Sequence, residues 1–429
     1  MPGPQTSPQT EARKEAGEQV RRPVWAEVSL SALAGNFEAI RRYVNPPNEK
    51  RATPRKILSI VKGNGYGHGG PEVAKALEKA GSDWFGVTCT EEGIALREAG
   101  VRNPTLVLTG FVPGEETRLV EHDLTATIHR CEQLPLLEDA AARFCSDRSL
   151  DRHAGRKTRT SEFGSQKRVP FHLKIDTGMN RLGIATSEID GFARQLATCK
   201  HLELTGIFSH FASSEVFTDT AVGKQTREQE ERFYAALERL RALGIDTGIV
   251  HLANSAAIVT RPETWADMVR PGAILYGYHP GYDPIEKRDE AERLLPLKPV
   301  MSLRTKIINL RDVPAGAGVG YDAAFVTKRP SRIAVLAAGY GDGFHRSLGN
   351  RGSLLVRGKL APIVGIVSMD VTMIDVTDIE GVQVGDVATL YGSDGGHVIP
   401  ANRVARSIGT VTSDLLCAVT QRVQRVYVH

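Results

Sequence analysis

The sequence predicts an α/β fold in which an N-terminal (β/α)8 barrel precedes a C-terminal, mostly antiparallel β domain. Between residues 56 and 277, short apolar segments alternate eight times with segments of helical period, as in a parallel barrel. After about residue 295 the apolar segments are rich in β-branched residues and separated by Gly, Asp or Pro, which is typical of antiparallel sheets. Polar residues suited to catalysis follow the barrel strands, at the end where such barrels form active sites.

Each element of the barrel is predicted from its apolar period. The expected strands are 57–61, 84–87, 105–108, 126–129, 171–175, 204–209, 248–252 and 268–275, and helices include 70–80, 91–99, 131–143 and 226–243. The last of these helices carries Phe233, Leu237 and Leu240 on one face and charges on the other. No G-x-G-x-x-G segment follows the first strand, which disfavours an open, doubly wound sheet.

Three regions are expected along the chain. Residues 1–22 are polar and predicted to form a disordered leader, residues 23–295 form the barrel, and residues 296–429 form the β domain. The expected strands of the β domain are 299–313, 332–337, 352–357, 362–366, 372–376 and 387–391, and the strand-like segment 24–28 is compatible with either domain.

Bulk composition excludes several classes of function. A net charge of +4 in 429 residues gives no reason to expect nucleic-acid binding. The five cysteines are widely spaced and form no C-x-x-C pair, so we expect no disulfide framework, no metal site and a reducing compartment. No apolar segment is long enough to cross a bilayer and the leader lacks a signal-peptide core, which predicts a cytoplasmic protein without membrane contact.

Residues 146–168 are predicted to be a basic insertion between the fourth and fifth barrel strands. The segment contains seven Lys and Arg residues and shows no apolar period. A docking patch for an acidic partner is one interpretation, but a mobile, solvated loop is favoured.

Lys62 is the first candidate for catalysis. It follows the apolar segment 57–61 and precedes Gly63, Asn64 and Gly65, so a buried strand is expected to deliver an amine to a loop. Partial desolvation there would lower the pKa of the amine and suit it to Schiff-base chemistry. The alternative is a lysine whose ammonium reaches water.

Other polar residues follow the later barrel strands in the same way. Arg181 lies beyond the fifth strand, His210 follows the sixth, Asn254 and Ser255 follow the seventh, and Arg270 belongs to the eighth. Since the strand ends of a barrel meet at one face, we expect these residues to form one active site with Lys62.

Eight short motifs link these residues to a known family. In chain order they are VKGNGYGHG at 61–69, KIDTGMNRLG at 174–183, SHFA at 209–212, HLANSA at 251–256, RPG at 270–272, GYD at 320–322, GYGDG at 339–343 and SMD at 368–370. From about residue 25 to its C-terminus, the chain resembles the alanine racemases, which are pyridoxal 5′-phosphate (PLP) enzymes of fold-type III.

The resemblance implies a two-base racemase. Lys62 would hold PLP as a covalent aldimine and act as one acid/base group, and Tyr321 of the partner subunit in a homodimer would act as the other. The substrates would be L-alanine and D-alanine, with D-alanine supplied for peptidoglycan. An unperturbed tyrosine has a pKa near 10, so Tyr321 needs nearby cations at neutral pH. Arg181 would provide that charge and contact the substrate carboxylate.

The resemblance also assigns the remaining site residues. Arg270 would face the pyridine nitrogen and leave it unprotonated, which favours racemisation over transamination, and His210 would buttress it. Lys174 corresponds to a lysine that is carbamylated in some members. Tyr66, Asn254, Ser255, Gly272 and Ala273 would bind the phosphate, and Tyr340, Met369 and Asp370 of the partner would line the substrate entrance. Ser255 alternatively serves as a helix N-cap.

Two positions depart from the family pattern. Ser413 stands four residues before Cys417, where the family usually has a tyrosine that touches the phosphate. We expect this change to weaken PLP retention or to admit serine as a substrate. Gly63 and Gly65 replace residues that are more often alanines, which we expect to loosen the loop slightly.

Three alternatives remain open from the sequence. A fold-type III decarboxylase would share the barrel lysine but pair an acidic residue with the pyridine nitrogen, where this chain has Arg270. A broad-specificity or serine racemase is compatible with Ser413. A non-catalytic PLP-binding protein would resemble the barrel alone, and the β domain with Tyr321, Met369 and Asp370 disfavours it.

Overall fold

The computed structural model describes residues 22–153 and 168–429, with the backbone alone for residues 146–153. The strands are β1 (Val24–Ser29), β2 (Lys56–Ile60), β3 (Trp84–Val87), β4 (Thr105–Val107), β5 (Thr125–Ile128), β6 (Val169–Asp176), β7 (Ile184–Ala185), β8 (Leu202–Phe208), β9 (Ile249–His251), β10 (Met268–Val269), β11 (Met301–Val313), β12 (Gly318–Val319), β13 (Phe325–Val326), β14 (Ser331–Leu336), β15 (Ser353–Val356), β16 (Lys359–Pro362), β17 (Thr372–Asp375), β18 (Val387–Asp394), β19 (His397–Ile399) and β20 (Gln424–Val428).

The right-handed α-helices are α1 (Leu30–Val44), α2 (Gly70–Lys79), α3 (Thr90–Glu98), α4 (Glu116–Glu121), α5 (Gln133–His153), α6 (Ile189–Leu196), α7 (Ala221–Ala242), α8 (Ser255–Thr260), α9 (Glu286–Leu294), α10 (Ala401–Ser407) and α11 (Thr412–Cys417). None of the helices in the described part of the chain has the length and apolar character needed to cross a membrane.

The chain divides into two compact units. The first, which we call the barrel unit, contains Leu33–Gly65 and Gly70–Lys298. The second, which we call the β unit, contains the described part of Met1–Ala32, Tyr66–Gly69 and Pro299–His429. This division differs from the predicted boundary near residue 295 in two places, because β1 and the short segment Tyr66–Gly69 belong to the β unit. Elsewhere the predicted boundary stays a prediction.

Eight parallel strands form a nearly closed barrel in the barrel unit. Parallel ladders join them in the order β10, β2, β3, β4, β5, β6, β8 and β9. Two backbone hydrogen bonds connect the ends of this sheet, from Asp267 N to Val250 O and from Arg270 N to Ala253 O, each 3.0 Å long. The prediction of a (β/α)8 barrel is therefore confirmed.

The β unit is built mainly from antiparallel pairs. Strand β11 lies against β1, β14 and β18, and β15 lies against β16 and β18. The exception is β20, which runs parallel to β1. Strand β1 is thus fixed between β11 and β20 of the β unit, and the prediction of a mostly antiparallel C-terminal domain is confirmed.

Three local predictions are wrong. Segment 268–275 is a strand only at Met268–Val269 and then forms a 3-10 helix at Ala273–Tyr276, because Pro271 lacks the N–H that a ladder needs. Strand β16 ends at Pro362, so most of predicted strand 362–366 is irregular. Helix α5 extends to His153, so residues 146–153 are helical and not a loop, and residues 154–167 of the basic insertion lie outside the described residues.

Candidate active site

A left-handed turn carries Lys62 away from the first barrel strand. Gly63, Asn64 and Gly65 have φ values of 63°, 53° and 63°, and Gly65 N donates to Val61 O over 2.7 Å. Glycine adopts positive φ without the steric cost that a Cβ brings. Gly63 and Gly65 therefore favour this turn, and the expectation that they loosen the loop stays a prediction.

Glu92 fixes the backbone beside Lys62. Its Oε1 accepts hydrogen bonds from Gly63 N at 2.7 Å and Asn64 N at 3.1 Å, and its Oε2 accepts from Thr88 N at 2.8 Å. Lys62 itself is exposed, so the described residues do not provide the partial burial that the sequence led us to expect.

Lys174 lies in β6 among other cations. It is buried, 6% exposed, and its Nζ lies 5.5 Å from the ring centroid of Phe208. Burial, followed by the positive charges of Arg181, Arg270 and Lys62, lowers the pKa of Lys174 to about 8, and Asp176 opposes this shift. The described residues thus place Lys174 close to the three other cations of the predicted site.

The loop that carries Arg181 is held by one carboxylate. Asp176 Oδ1 accepts hydrogen bonds from the backbone N–H groups of Gly178, Met179 and Asn180 at 2.9–3.1 Å, and Oδ2 accepts from Arg181 N at 3.0 Å. Burial raises the pKa of Asp176, but these backbone hydrogen bonds together outweigh it and lower the pKa overall. The carboxylate therefore remains charged and holds Arg181 beyond the fifth barrel strand.

Arg270 is buried immediately after the last barrel strand. Its Nη2 donates to Ser209 O at 2.8 Å and Leu252 O at 3.0 Å, and its Nη1 donates to His251 O at 2.8 Å. No carboxylate in the described part of the chain pairs with it, and burial lowers the pKa of the guanidinium to about 9. All its hydrogen bonds to described residues use Nη1 or Nη2, which leaves Nε available to a bound group.

His210 lies beside this guanidinium. Its Nδ1 is 3.3 Å from Arg270 Nη2, and since arginine can only donate, Nδ1 must be the acceptor. Burial, then the charges of Arg270, Lys174, Arg181 and Lys62, lower the pKa of His210 well below its usual value. His210 is therefore neutral at physiological pH, which agrees with a supporting position next to Arg270.

The seventh and eighth strands bring Asn254, Ser255 and Gly272 together. Asn254 Oδ1 accepts from Ala257 N at 3.1 Å and from Ser214 Oγ at 2.8 Å, so Asn254 is the N-cap of α8, and the alternative interpretation of Ser255 as that cap is wrong. Ser255 Oγ instead accepts from Gly272 N at 2.9 Å. Ala273 follows at the start of a 3-10 helix. A phosphate bound here would share or replace the Gly272 hydrogen bond.

Tyr66 belongs to the β unit, next to α11. A Cβ on the following residue, Gly67, would lie 2.1 Å from Leu416 O, and Arg425 Nε donates to Gly67 O at 2.9 Å. Burial, and to a smaller extent the thiol of Cys417, raise the pKa of Tyr66 to about 12. Its phenol keeps its proton and can donate a hydrogen bond.

Ser413 lies one turn before Cys417 on α11 and is half-buried. Residues four apart share one face of a helix. Because α11 contacts the segment that carries Tyr66, Ser413 lies on a helix next to one of the predicted phosphate-binding residues. The effect of a serine at this position stays a prediction.

Tyr321 is the most exposed large side chain of the β unit's predicted site residues. It is 68% exposed and follows Gly320, whose φ is 73°. Gly320 packs against Met373, since a Cβ there would lie 2.7 Å from the Met373 Cε. The turn holds the phenol outward, away from the core of its own unit.

Tyr340 and Met369 lie on two loops that are hydrogen-bonded to each other. Tyr340 N donates to Ser368 O at 3.0 Å, and Gly341 N donates to Met369 O at 2.8 Å. The Tyr340 and Met369 side chains are 42% and 52% exposed. On the same loop, Asp370 Oδ1 accepts from Arg422 Nη2 at 2.5 Å, so the described residues bring these three predicted entrance residues together.

Comparison with family models covers both units. The model described as "Alanine racemase, N-terminal domain" matches residues 28–280, and "Alanine racemase, C-terminal domain" matches residues 300–427. The chain belongs to the alanine racemase family. The decisive observation is that both domain models match in order and together cover most of the chain.

Individual relatives agree over nearly their full length. Alanine racemase 2 of Caldanaerobacter subterraneus subsp. tengcongensis is 38% identical over 414 residues, 95% of each chain. Alanine racemase of Methanococcus maripaludis is 37% identical over 413 residues, which cover 96% of this chain and 100% of the relative.

Solved structures of alanine racemases share the fold. That of Clostridium difficile 630 is 29% identical, with a TM-score of 0.81 and coverage of 96% of this chain and 97% of that one. That of Bacillus anthracis, solved with bound L-Ala-P, is 31% identical, with a TM-score of 0.79 and 96% coverage of each chain.

The residues present fit PLP, the cofactor of this family. PLP carries a phosphate and a ring oxygen, both anionic, and the barrel unit gathers Lys62, Lys174, Arg181 and Arg270 close enough to affect pKa values of Lys174 and His210. We call these four residues the cation cluster. Asp176 is the one carboxylate among the groups that shift the pKa of Lys174, and it is already bonded to four backbone N–H groups. Such an excess of positive charge is expected to be neutralised by an anionic ligand.

Sequence reasoning missed four residues that support the site. Glu92 fixes the Lys62 turn, Arg422 holds Asp370, and His172 and His251 lie behind Arg270. For the two histidines a signal existed, because each is a polar residue in a strand next to buried apolar residues, Phe171 and Leu173 for His172 and Val250 for His251. For Glu92 and Arg422 the motifs contained no signal.

Proposed function

We propose that the chain interconverts L-alanine and D-alanine with PLP by a two-base mechanism. Lys62 exchanges a proton with the substrate α-carbon on one face, and Tyr321 of the partner subunit does so on the other. The observation that carries the proposal is the convergence of the cation cluster and His210 at the C-terminal ends of the barrel strands.

Lys62 and the phosphate-binding groups would hold the cofactor. PLP, when bound, withdraws electrons from the substrate α-carbon and makes its proton acidic. Lys62 Nζ is the attachment point on the left-handed turn. Ser255, Gly272, Ala273 and Asn254 supply N–H and O–H groups for the phosphate, as backbone N–H groups do in other anion-binding loops. The resemblance to the family assigns the same role to Tyr66.

Arg270 sets which reaction follows. Its pKa of about 9 keeps the guanidinium protonated near pH 7, so its available Nε can donate to the pyridine nitrogen but accepts no proton from it. A protonated Arg270 would leave the pyridine nitrogen unprotonated, and this would favour return of the proton to the substrate α-carbon. A decarboxylase of this fold type would place an acid here, and the described residues around Arg270 include none.

Arg181 would bind the carboxylate of the substrate, and Lys174 would orient Arg181. The guanidinium of Arg181 suits the planar carboxylate of an amino acid. Lys174, with a pKa of about 8, has a neutral fraction of roughly a tenth at pH 7, which is the form that reacts with carbon dioxide. Carbamylation would replace one positive charge with a negative one beside Arg181 and fix its orientation.

A homodimer would complete each site. The exposed side chains of Tyr321, Tyr340 and Met369 lie on loops whose backbones are hydrogen-bonded, which supports a role for them toward another subunit. Tyr321 then faces the cation cluster of the partner, which would stabilise its phenolate, and Tyr340, Met369 and Asp370 line the route of the substrate.

We further propose that the protein supplies D-alanine for peptidoglycan in the cytoplasm. No two of the five cysteines, all of which lie in the described part of the chain, are joined by a disulfide, which agrees with a reducing compartment. A broad-specificity or serine racemase is the second candidate, and Ser413 is the observation that favours it.

A chiral assay of the purified holoenzyme with L-alanine and L-serine tests the proposal. Alanine racemisation should fall by at least about 10³-fold in Lys62→Ala, because one of two acid/base groups is lost. The matched control is Lys56→Ala, at the exposed opposite end of the same strand, which should retain full activity.

Each outcome separates the candidates. Fast conversion of alanine alone supports the alanine racemase, and comparable turnover of serine supports the second candidate. Absence of racemisation of both amino acids, or full activity of Lys62→Ala, would contradict the proposal.

A further inference from the structure

Two histidines inside the barrel continue the contacts of Arg270. Arg270 Nη1 lies 3.3 Å from His251 Nδ1, and His251 Nε2 lies 2.9 Å from His172 Nδ1. Both imidazoles are completely buried. His251 belongs to β9, His172 belongs to β6 and Arg270 follows β10, so these contacts join three strands of the barrel.

Both rings have little freedom to rotate. His251 stacks on Phe208 with ring centroids 4.7 Å apart and an interplanar angle of 16°. His172 lies 5.1 Å from the Trp84 ring and against Gly206, where a Cβ would lie 2.6 Å from the His172 ring. The nitrogen positions are therefore fixed, and only the positions of the protons remain to be assigned.

Three proton assignments are conceivable, and two fail. If His172 Nδ1 donated, His251 Nε2 would accept and neutral His251 would carry its proton on Nδ1, facing an N–H of Arg270. If His251 were doubly protonated, the same clash would occur beside a cation, and burial together with its neighbours His172 and Arg270 lowers the pKa of His251 well below its usual value. The remaining assignment has His251 Nε2 donating to His172 Nδ1, with the proton of His172 on Nε2.

This assignment accounts for an otherwise unexplained atom. His172 Nε2 is buried and has no hydrogen-bond partner in the described part of the chain. A buried N–H group without a hydrogen-bond partner destabilises a protein and is rare in native structures. Here it follows from the requirement that His172 Nδ1 be an acceptor. Burial, with Arg270, lowers the pKa of His172 to about 3, so the ring stays neutral.

We propose that His172 is a positioning residue that fixes the tautomer of His251, so that His251 Nδ1 remains an acceptor for Arg270. The inference rests on the proposed function, in which the orientation of Arg270 decides between racemisation and transamination. Without an acceptor at position 172, His251 is free to carry its proton on Nδ1. That proton would oppose Arg270 Nη1, displace the guanidinium and change the direction of its Nε.

Neutron diffraction of the deuterated holoenzyme tests the assignment directly. We expect deuterium on Nε2 of both His172 and His251 and none on either Nδ1. Deuterium on His251 Nδ1 or on His172 Nδ1 would overturn the inference. The result does not depend on catalytic activity, so it is distinguishable from a failure of the proposed function.

A pair of variants tests the consequence. His172→Leu removes the acceptor, whereas His172→Asn can retain one, since the asparagine Oδ1 can take the position of the imidazole Nδ1. The readout is pyruvate formed per D-alanine formed from L-alanine, because transamination converts alanine and bound PLP to pyruvate and pyridoxamine phosphate. We expect this ratio to rise about tenfold in His172→Leu, equivalent to roughly 1.4 kcal/mol, and to return toward wild type in His172→Asn.

The ratio separates positioning from loss of structure. A merely structural role would lower both products together and leave their ratio unchanged. An unchanged ratio in a folded His172→Leu enzyme, or an equal rise in both variants, would overturn the inference. Melting temperatures identify a variant that fails to fold, in which case the neutron result decides.

Discussion

Arg270 of the barrel unit and Arg304 of the β unit are both buried, 4% and 2% exposed, but their partners differ. Arg304 donates to the Glu27 carboxylate, at 3.0 Å from Nε to Oε2, and to Thr389 Oγ1 and Ser393 O. Among the described residues, Arg270 donates to carbonyl and imidazole acceptors alone. One buried charge is thus neutralised by the fold, and the other is not.

The same contrast extends to the other charges of each unit. In the β unit, completely buried Asp342 lies 3.1 Å from Arg22 Nη1 and 3.4 Å from Arg422 Nε. In the barrel unit, Lys174 has three cationic neighbours. Burying an unpaired charge destabilises the fold, and such charges are retained mainly at functional sites. The comparison therefore indicates that the positive charges of the barrel unit are arranged for a ligand, whereas those of the β unit stabilise the fold.

The largest expected effect on stability is in the β unit. Arg304→Met leaves Glu27 without its cationic partner inside the sheet. Breaking such a pair should lower the free energy of unfolding by about 3 kcal/mol, measured by urea denaturation of the apo-protein. Arg329→Met is the control, because Arg329 pairs with Asp378 on the surface with both side chains more than half exposed. An equal loss of stability in both variants would contradict the claim that the buried Arg304 pair stabilises the β unit more than a surface pair does.

Lys174→Met should change the free energy of unfolding in the opposite direction, because it should stabilise the protein. The pKa of Lys174 is about 8 in the folded protein and near 10.4 in the unfolded chain. Between these values the unfolded state binds more protons, so stability rises with pH. Below pH 8 the charged, buried lysine therefore destabilises the fold, and its removal should stabilise the apo-protein by about 1–3 kcal/mol.

Denaturation in buffer free of carbon dioxide checks this sign. The advantage of Lys174→Met over wild type should be full at pH 7 and should shrink between about pH 8 and 10.4. A variant less stable than wild type at pH 7 would show that Lys174 is neutralised by the fold, as Arg304 is.

Much of this arrangement could be predicted from the sequence, and the exceptions have physical causes. Barrel strands end where apolar residues give way to polar ones, so the prediction that Lys62 and His210 follow strands is confirmed. Arg270 was predicted inside strand 268–275 and instead follows β10. The contacts among residues 172, 251 and 270 could not be predicted, because they join three strands through tertiary packing. Strand 268–275 was overestimated because its apolar residues after Gly272 pack as a 3-10 helix.

A smaller effect on stability is expected at the left-handed turn that follows Lys62. Gly65 has a φ of +63°, and an added Cβ would lie 3.3 Å from the Gly70 backbone. Gly65→Ala should therefore lower the free energy of unfolding by about 1–2 kcal/mol. Gly35→Ala, in the exposed face of α1 with open space around it, should instead raise it by about 0.5–1 kcal/mol. If thermal denaturation showed that both variants change the stability in the same direction, the proposal that the positive φ of Gly65 disfavours a side chain would be contradicted.

The smallest effect concerns Ser413. Ser413→Tyr adds a neutral phenol to α11 without changing the charge of the site. We expect slower loss of PLP on dialysis and a several-fold shift of the serine-to-alanine kcat/KM ratio toward alanine, as for roughly 1 kcal/mol of pocket contacts. Unchanged selectivity and unchanged PLP retention would show that Ser413 does not shape the site. Ser413→Ala serves as the control.

Borohydride reduction of the PLP-loaded protein, followed by peptide mapping with mass spectrometry, tests the central claim most directly. If the cation cluster holds PLP against the left-handed turn, the pyridoxyl group will be found on the peptide that contains Lys62 and will be absent from Lys62→Ala. A label on Lys174 or on any other lysine, or equal labelling in Lys62→Ala, would contradict the account.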